Sequence, residues 1–89
     1  MHFILSSHAK RRIKERSIPN ANNIDLAMAN NRFKKMIKDR CRVNRYVKNL
    51  VYWRANNKQY FDNKSVPVYV CSATDTGQYT VITAFKIEL

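Results

Sequence analysis

A histidine and two arginines stand at i, i+4 and i+8 in Ser7-His8-Ala9-Lys10-Arg11-Arg12-Ile13-Lys14-Glu15-Arg16, so that on a helix His8, Arg12 and Arg16 share one face. An imidazole exchanges its proton near neutral pH, and guanidinium forks match phosphate oxygens. Metal-free cleavage of a phosphodiester needs a base for the 2′-hydroxyl proton, positive charge at the crowded phosphorus, and an acid for the leaving 5′-oxygen. His8 can supply the first, and Arg12 and Arg16 the second. The same face on a passive helix would hold phosphates without cutting them.

The charge distribution favours a polyanionic partner. The chain has 89 residues and a formal net charge of +11. Residues 1–48 carry 13 Lys and Arg against Glu15, Asp25 and Asp39, a balance of +10, while residues 49–89 are near neutral at +1. Such a field draws phosphate backbones through counterion release. The run Arg32, Lys34, Lys35, Lys38, Arg40, Arg42, Arg45 and Lys48 makes a broad surface that would follow a backbone without reading bases. Within it Lys35, Lys38, Arg42 and Arg45, joined by Arg11 on the first helix, are the candidate nucleic-acid contacts.

The elements that must hold these groups are read from caps, periodicity and turns. A length of 89 residues fits one domain, 1–89, with a single small core. A hydrophobic content of 45% and ten aromatic residues are too much apolar surface for a disordered tail. Ser6 or Ser7 caps a first helix over about residues 7–16, ended by Ile18-Pro19. A second helix is expected over about residues 23–38, since Ile24, Ala27 and Met28, then Phe33, Met36 and Ile37, recur at helical spacing. Residues 40–51 read equally as helix or strand. A strand is expected over about 49–54, and a short edge strand over about 58–61.

The C-terminal third predicts a hairpin of residues 66–72 and 79–87 around Asp75-Thr76-Gly77, with Gly77 as the left-handed residue of a three-residue loop. That register pairs Thr74 with Gln78, Val70 with Ile82, and Tyr69 with Thr83. Val66, Val68, Val70, Ile82 and Ala84 then form an aliphatic face for the helices, and Tyr69, Cys71, Tyr79, Val81, Thr83 and Phe85 the other. Thr83 joins His8, Arg12 and Arg16 as a candidate catalytic residue, its hydroxyl placed to hydrogen-bond a phosphate oxygen. Tyr69 and Tyr79 are candidates for stacking a base or for acting as the acid, and Lys86 for reaching the same anion. The fold class is therefore α+β, two N-terminal helices packed on a three- to four-stranded antiparallel sheet.

Other chemistries find little support. His2, His8, Cys41 and Cys71 lack the paired spacing of zinc ligands, so neither a metal nor another cofactor is expected. Without a Cys-x-x-Cys pattern or a secretory signal, both cysteines read as thiols. No run of about 18 apolar residues offers a membrane span, and Met1-His2-Phe3-Ile4-Leu5 is too short for a signal-peptide core, so the expected location is the cytosol.

The helix reading His8-Ala9, Arg12, Arg16 and Ile18, together with a closing strand Val81-Ile82-Thr83-Ala84-Phe85, resembles a group of small bacterial and phage domains related to RelE-type toxins and tRNA-cleaving colicins, the BECR grouping (barnase, EndoU, colicin, RelE). The resemblance covers the two ends of the chain. It implies two helices on an antiparallel sheet, cofactor-free endoribonuclease activity, and a cognate antitoxin or immunity protein as a partner beside RNA. The chain departs from the pattern in its long basic middle and in Ser17, where a glycine is common.

Two further functions fit the same residues. A non-catalytic nucleic-acid binder would use the bases only to hold phosphates, and an inhibitor or adaptor would dock the basic half on an acidic protein surface.

Overall fold

The computed structural model describes residues 2–41, 47 and 49–89. Its elements are β1 (Phe3–Leu5), α1 (Ser7–Glu15), β2 (Leu26–Met28), α2 (Asn31–Arg40), β3 (Leu50–Ala55), β4 (Ser65–Ala73) and β5 (Tyr79–Glu88), with 3-10 turns at Ala21–Asn23 and Lys58–Tyr60. The strands form one five-stranded sheet in the order β1-β5-β4-β3-β2. β1 runs parallel to β5 and every other pair is antiparallel. Among the described residues no helix is long and apolar enough to cross a membrane.

The class is α+β, but the expected architecture of two N-terminal helices on a three- to four-stranded antiparallel sheet is corrected in three ways. A strand precedes α1, another separates the helices, and the sheet is five-stranded and mixed. The helices also lie on opposite faces. Ala9 of α1 packs with Tyr69, Cys71 and Val81, whereas Phe33 and Ile37 of α2 pack with Val66, Val68 and Val70. Successive strand residues point to opposite sides, so these two clusters are the two faces of β4.

The second helix begins later than its periodicity suggests. The Asn20 side chain accepts from the Asn22 amide and caps a 3-10 turn, and Leu26–Met28 then pairs with β3. Sheet pairing overrides the local helical spacing of Ile24, Ala27 and Met28. α2 starts only after Asn30, whose side chain accepts from Phe33 N at 2.9 Å, and it buries Phe33 and Ile37 one turn apart. Residues 58–61 are likewise not a strand, because Asn57 caps a 3-10 turn by accepting from Gln59 N at 3.1 Å. Much of the stretch left open between helix and strand, with Arg42 and Arg45, lies outside the described residues.

The hairpin forms as expected near its turn. Gly77 takes φ +79° and Thr74 N donates to Gln78 O at 2.8 Å. The register runs through Cys71 opposite Val81 and then shifts, so that Val70 faces Thr83 and Tyr69 faces Ala84, in place of the expected Ile82 and Thr83. Ile82 is the extra residue of a β-bulge. The bulge reassigns the faces of β5: Val81 and Ala84, three apart, both join the α1 core, and Phe85 and Ile87 join the α2 core. The aliphatic face thus meets α2 alone, and the face with the tyrosines is covered by α1.

Candidate functional site

β1 covers the side of β5 only over Tyr79–Val81, and beyond this point the edge of β5 is flanked by α1. Hydrogen bonds pin the helix there at both ends, beginning with Ser6 N, which donates to Val81 O at 3.1 Å. The Ser6 hydroxyl donates to Ile82 O at 3.2 Å while accepting from Ala9 N at 3.0 Å, so the residue that caps α1 also ties its start to the bulge. Arg16 Nη1 donates to Ala84 O at 2.8 Å and ties its end. Ser17 closes the helix at φ +52°, the left-handed conformation that a glycine adopts without cost.

A cleft of about 470 Å³ straddles this edge, lined by His8, Arg12 and Arg16 from α1, Arg40 and Cys41 from the end of α2, Val47, and Ile82, Thr83, Phe85 and Lys86 from β5. The proposed helical face of His8, Arg12 and Arg16 therefore exists as one wall, and Thr83 and Lys86 stand in the same cleft. None of these lining residues is a carboxylate. Two acids hold the cations from outside: Arg12 Nη1 lies 3.0 Å from Glu15 and Lys86 Nζ lies 3.0 Å from Asp62. Arg12 Nε is buried without a hydrogen-bond partner among the described residues.

Arg11 is outside the lining but touches it, its Nη2 lying 3.2 Å from His8 Nδ1. A guanidinium can only donate, so in this arrangement Nδ1 accepts and the neutral ring carries its proton on Nε2. The other expected contacts are placed elsewhere. Lys35 and Lys38 are exposed on α2, Lys38 above the Tyr52 ring at 5.9 Å. Arg42 and Arg45 lie outside the described residues.

Tyr69 and Tyr79 do not reach the cleft. Tyr69 is fully buried and its hydroxyl donates to Pro19 O at 2.6 Å, while burial raises its pKa above the usual phenol value. Tyr79 packs against Phe3 and Trp53, with ring centroids 5.8 Å and 5.4 Å away. Both belong to the α1 core because the helix lies on their side of the sheet. The lining residues that sequence reasoning passed over are Arg40, Cys41, Val47, Ile82 and Phe85. Arg40 stood undistinguished within a basic run, and only the bulge, which no residue type announces, brings Ile82 and Phe85 to one opening.

Comparison with family models, curated proteins and solved structures finds no match to this chain.

Proposed function

We propose that the protein is a metal-independent endoribonuclease of the toxin-like kind, holding an RNA phosphate in the cleft between α1 and β5. The observation that carries this reading is the convergence of His8, Arg12, Arg16, Thr83 and Lys86 on one opening whose described lining holds several cations and no carboxylate. The resemblance to RelE-like domains supports it further, because the two stretches on which it rests, around His8–Arg16 and Val81–Phe85, meet at this opening.

In this reading a scissile phosphate draws the Arg11 guanidinium off His8, freeing Nδ1 to take the 2′-hydroxyl proton. The 2′-oxygen bonds to phosphorus, Arg12 and Lys86 bear the growing negative charge, and the 5′-oxygen leaves with a proton from water, giving a cyclic phosphate. Arg16 acts chiefly as a positioning residue, since one arm of its fork is committed to Ala84 O.

The test is cleavage of tRNA and total RNA in EDTA by the protein and by folded His8→Ala and Arg12→Ala variants. Loss of the base is expected to slow cleavage by about 10²–10⁴-fold, and loss of the Arg12 charge by about 10²–10³-fold. Absence of cleavage, or cleavage indifferent to both changes, would overturn this function. A second reading, a passive nucleic-acid binder, draws on the partners that Arg12 and Arg16 already have in Glu15 and Ala84 O. It expects RNA affinity that survives His8→Ala and falls steeply with salt, without turnover.

A further inference from the structure

Besides its cations the cleft has an apolar part that phosphate binding does not use. Ile82 and Phe85 of β5 line it together with Val47, and Phe85 is only half-buried although it also packs on the α2 core. A site for phosphate alone gains nothing from a ring and two aliphatic side chains. At about 470 Å³ the opening falls in the range of clefts, ~300–1,000 Å³, that enclose one small molecule. Nucleotides combine the two chemistries in one unit, a flat apolar base joined to an anion.

Resting on the proposed RNA reading, we infer that the cleft takes one unpaired nucleotide, its base against Phe85 and Ile82 and its phosphate among Arg12, Arg40 and Lys86, so that single-stranded RNA is the substrate class. In a duplex the bases are stacked and paired, with only their edges exposed in the grooves, and cannot reach such a floor. Stacking on an aromatic ring is sequence-tolerant, because every base has a flat face. The two candidate stackers seen in the sequence, Tyr69 and Tyr79, are committed to the α1 core, and Phe85 takes that part.

The test measures binding apart from cleavage, using a fluorescent 2′-O-methyl RNA octamer that cannot form the 2′-oxyanion, alone and annealed to its complement, in EDTA. The single strand is expected to bind at least about tenfold more tightly than the duplex at the same salt. Phe85→Leu keeps the apolar volume of the α2 core and removes the ring. It is expected to weaken single-strand binding by about 30-fold, the middle of what one stacked base contributes, and to leave duplex binding unchanged. Phe85→Ala is expected to act in the same direction where it folds. Equal binding of both forms by the unaltered protein, or equal loss of both in Phe85→Leu, would overturn the inference while leaving the RNA reading intact. Failure of the unaltered protein to bind either form would overturn both.

Discussion

The two faces of the sheet are built differently. On the α2 face Val66, Val68, Val70 and Ile87 meet Phe33 and Ile37, a largely aliphatic core in which the helix is held by burial. On the α1 face the helix buries only Ala9 fully, with Ile13 partly covered, over a layer containing Phe3, Trp53, Tyr69 and Tyr79. α1 is held instead by directional bonds at its ends, from Ser6 to Ile82 O and from Arg16 to Ala84 O. So basic a helix is fixed in place by its two ends rather than by its buried face. A narrow apolar stripe leaves its register weakly determined, and bonds to the edge of β5 set where His8 and Arg12 stand.

The contrast between the faces can be broken at several points. The largest effect is expected in thiol reactivity. Burial in the α1 core pushes the Cys71 thiol up to about 12, whereas Cys41 is only partly buried and lines the cleft. At pH 8 iodoacetamide is expected to modify Cys41 on the order of 100-fold faster than Cys71. Comparable rates, followed by mass spectrometry of peptides, would contradict the described α1 core.

Next comes the aliphatic side. Ile37→Ala removes a fully buried side chain, and urea unfolding is expected to show a loss of about 2–5 kcal/mol. On the α1 face Tyr69→Phe removes only the bond to Pro19 O, and a loss of about 0.5–1.5 kcal/mol is expected. A reversal of this order would mean that directional bonds, rather than burial, dominate both faces. The smallest effect is expected at the end of α1. Ser17→Gly relieves a left-handed residue but frees the unfolded chain, so a net gain of about 0.5 kcal/mol is expected.

Alkaline pH bears most on the α1 face, although burial also raises Tyr52 in the α2 core. Tyr69 and Cys71 hold their protons more tightly in the fold than their ordinary values of 10.0 and 9.0 allow, chiefly through burial. Their stabilising contribution is fully present below about pH 9 and is lost as the pH rises through the folded values, near 12 for Cys71. Melting temperature is expected to fall over that window, and less so in Cys71→Ala relative to its own value at pH 8. A flat profile would contradict burial of the two groups.

Several of these features were legible in the residues themselves. Ser6 as a cap, the hairpin around Gly77, and the shared face of His8, Arg12 and Arg16 follow from local chemistry and short-range spacing, which tertiary packing left undisturbed. The side on which each helix docks was not legible, because both faces of β4 are apolar and either would accept a helix. β1 was missed because three residues carry too little periodicity, and its pairing with β5 joins opposite ends of the chain. Its outer edge is closed by Asn22, whose amide donates to Phe3 O at 2.8 Å and accepts from Phe3 N at 2.7 Å, a partnership that no local pattern reveals. The bulge at Ile82 had the widest consequence. By shifting β5 one residue it placed Ala84 beneath α1 and left Phe85, rather than a tyrosine, at the cleft.

The most direct trial of the central claim is to map where RNA touches the protein. Titrating the ¹⁵N-labelled protein with a single-stranded 2′-O-methyl octamer and following backbone amides is expected to move residues 8–16, 40–41 and 82–86, which surround the cleft. Shifts confined to the exposed outer side of α2 around Lys35, with the β5 edge silent, would contradict it.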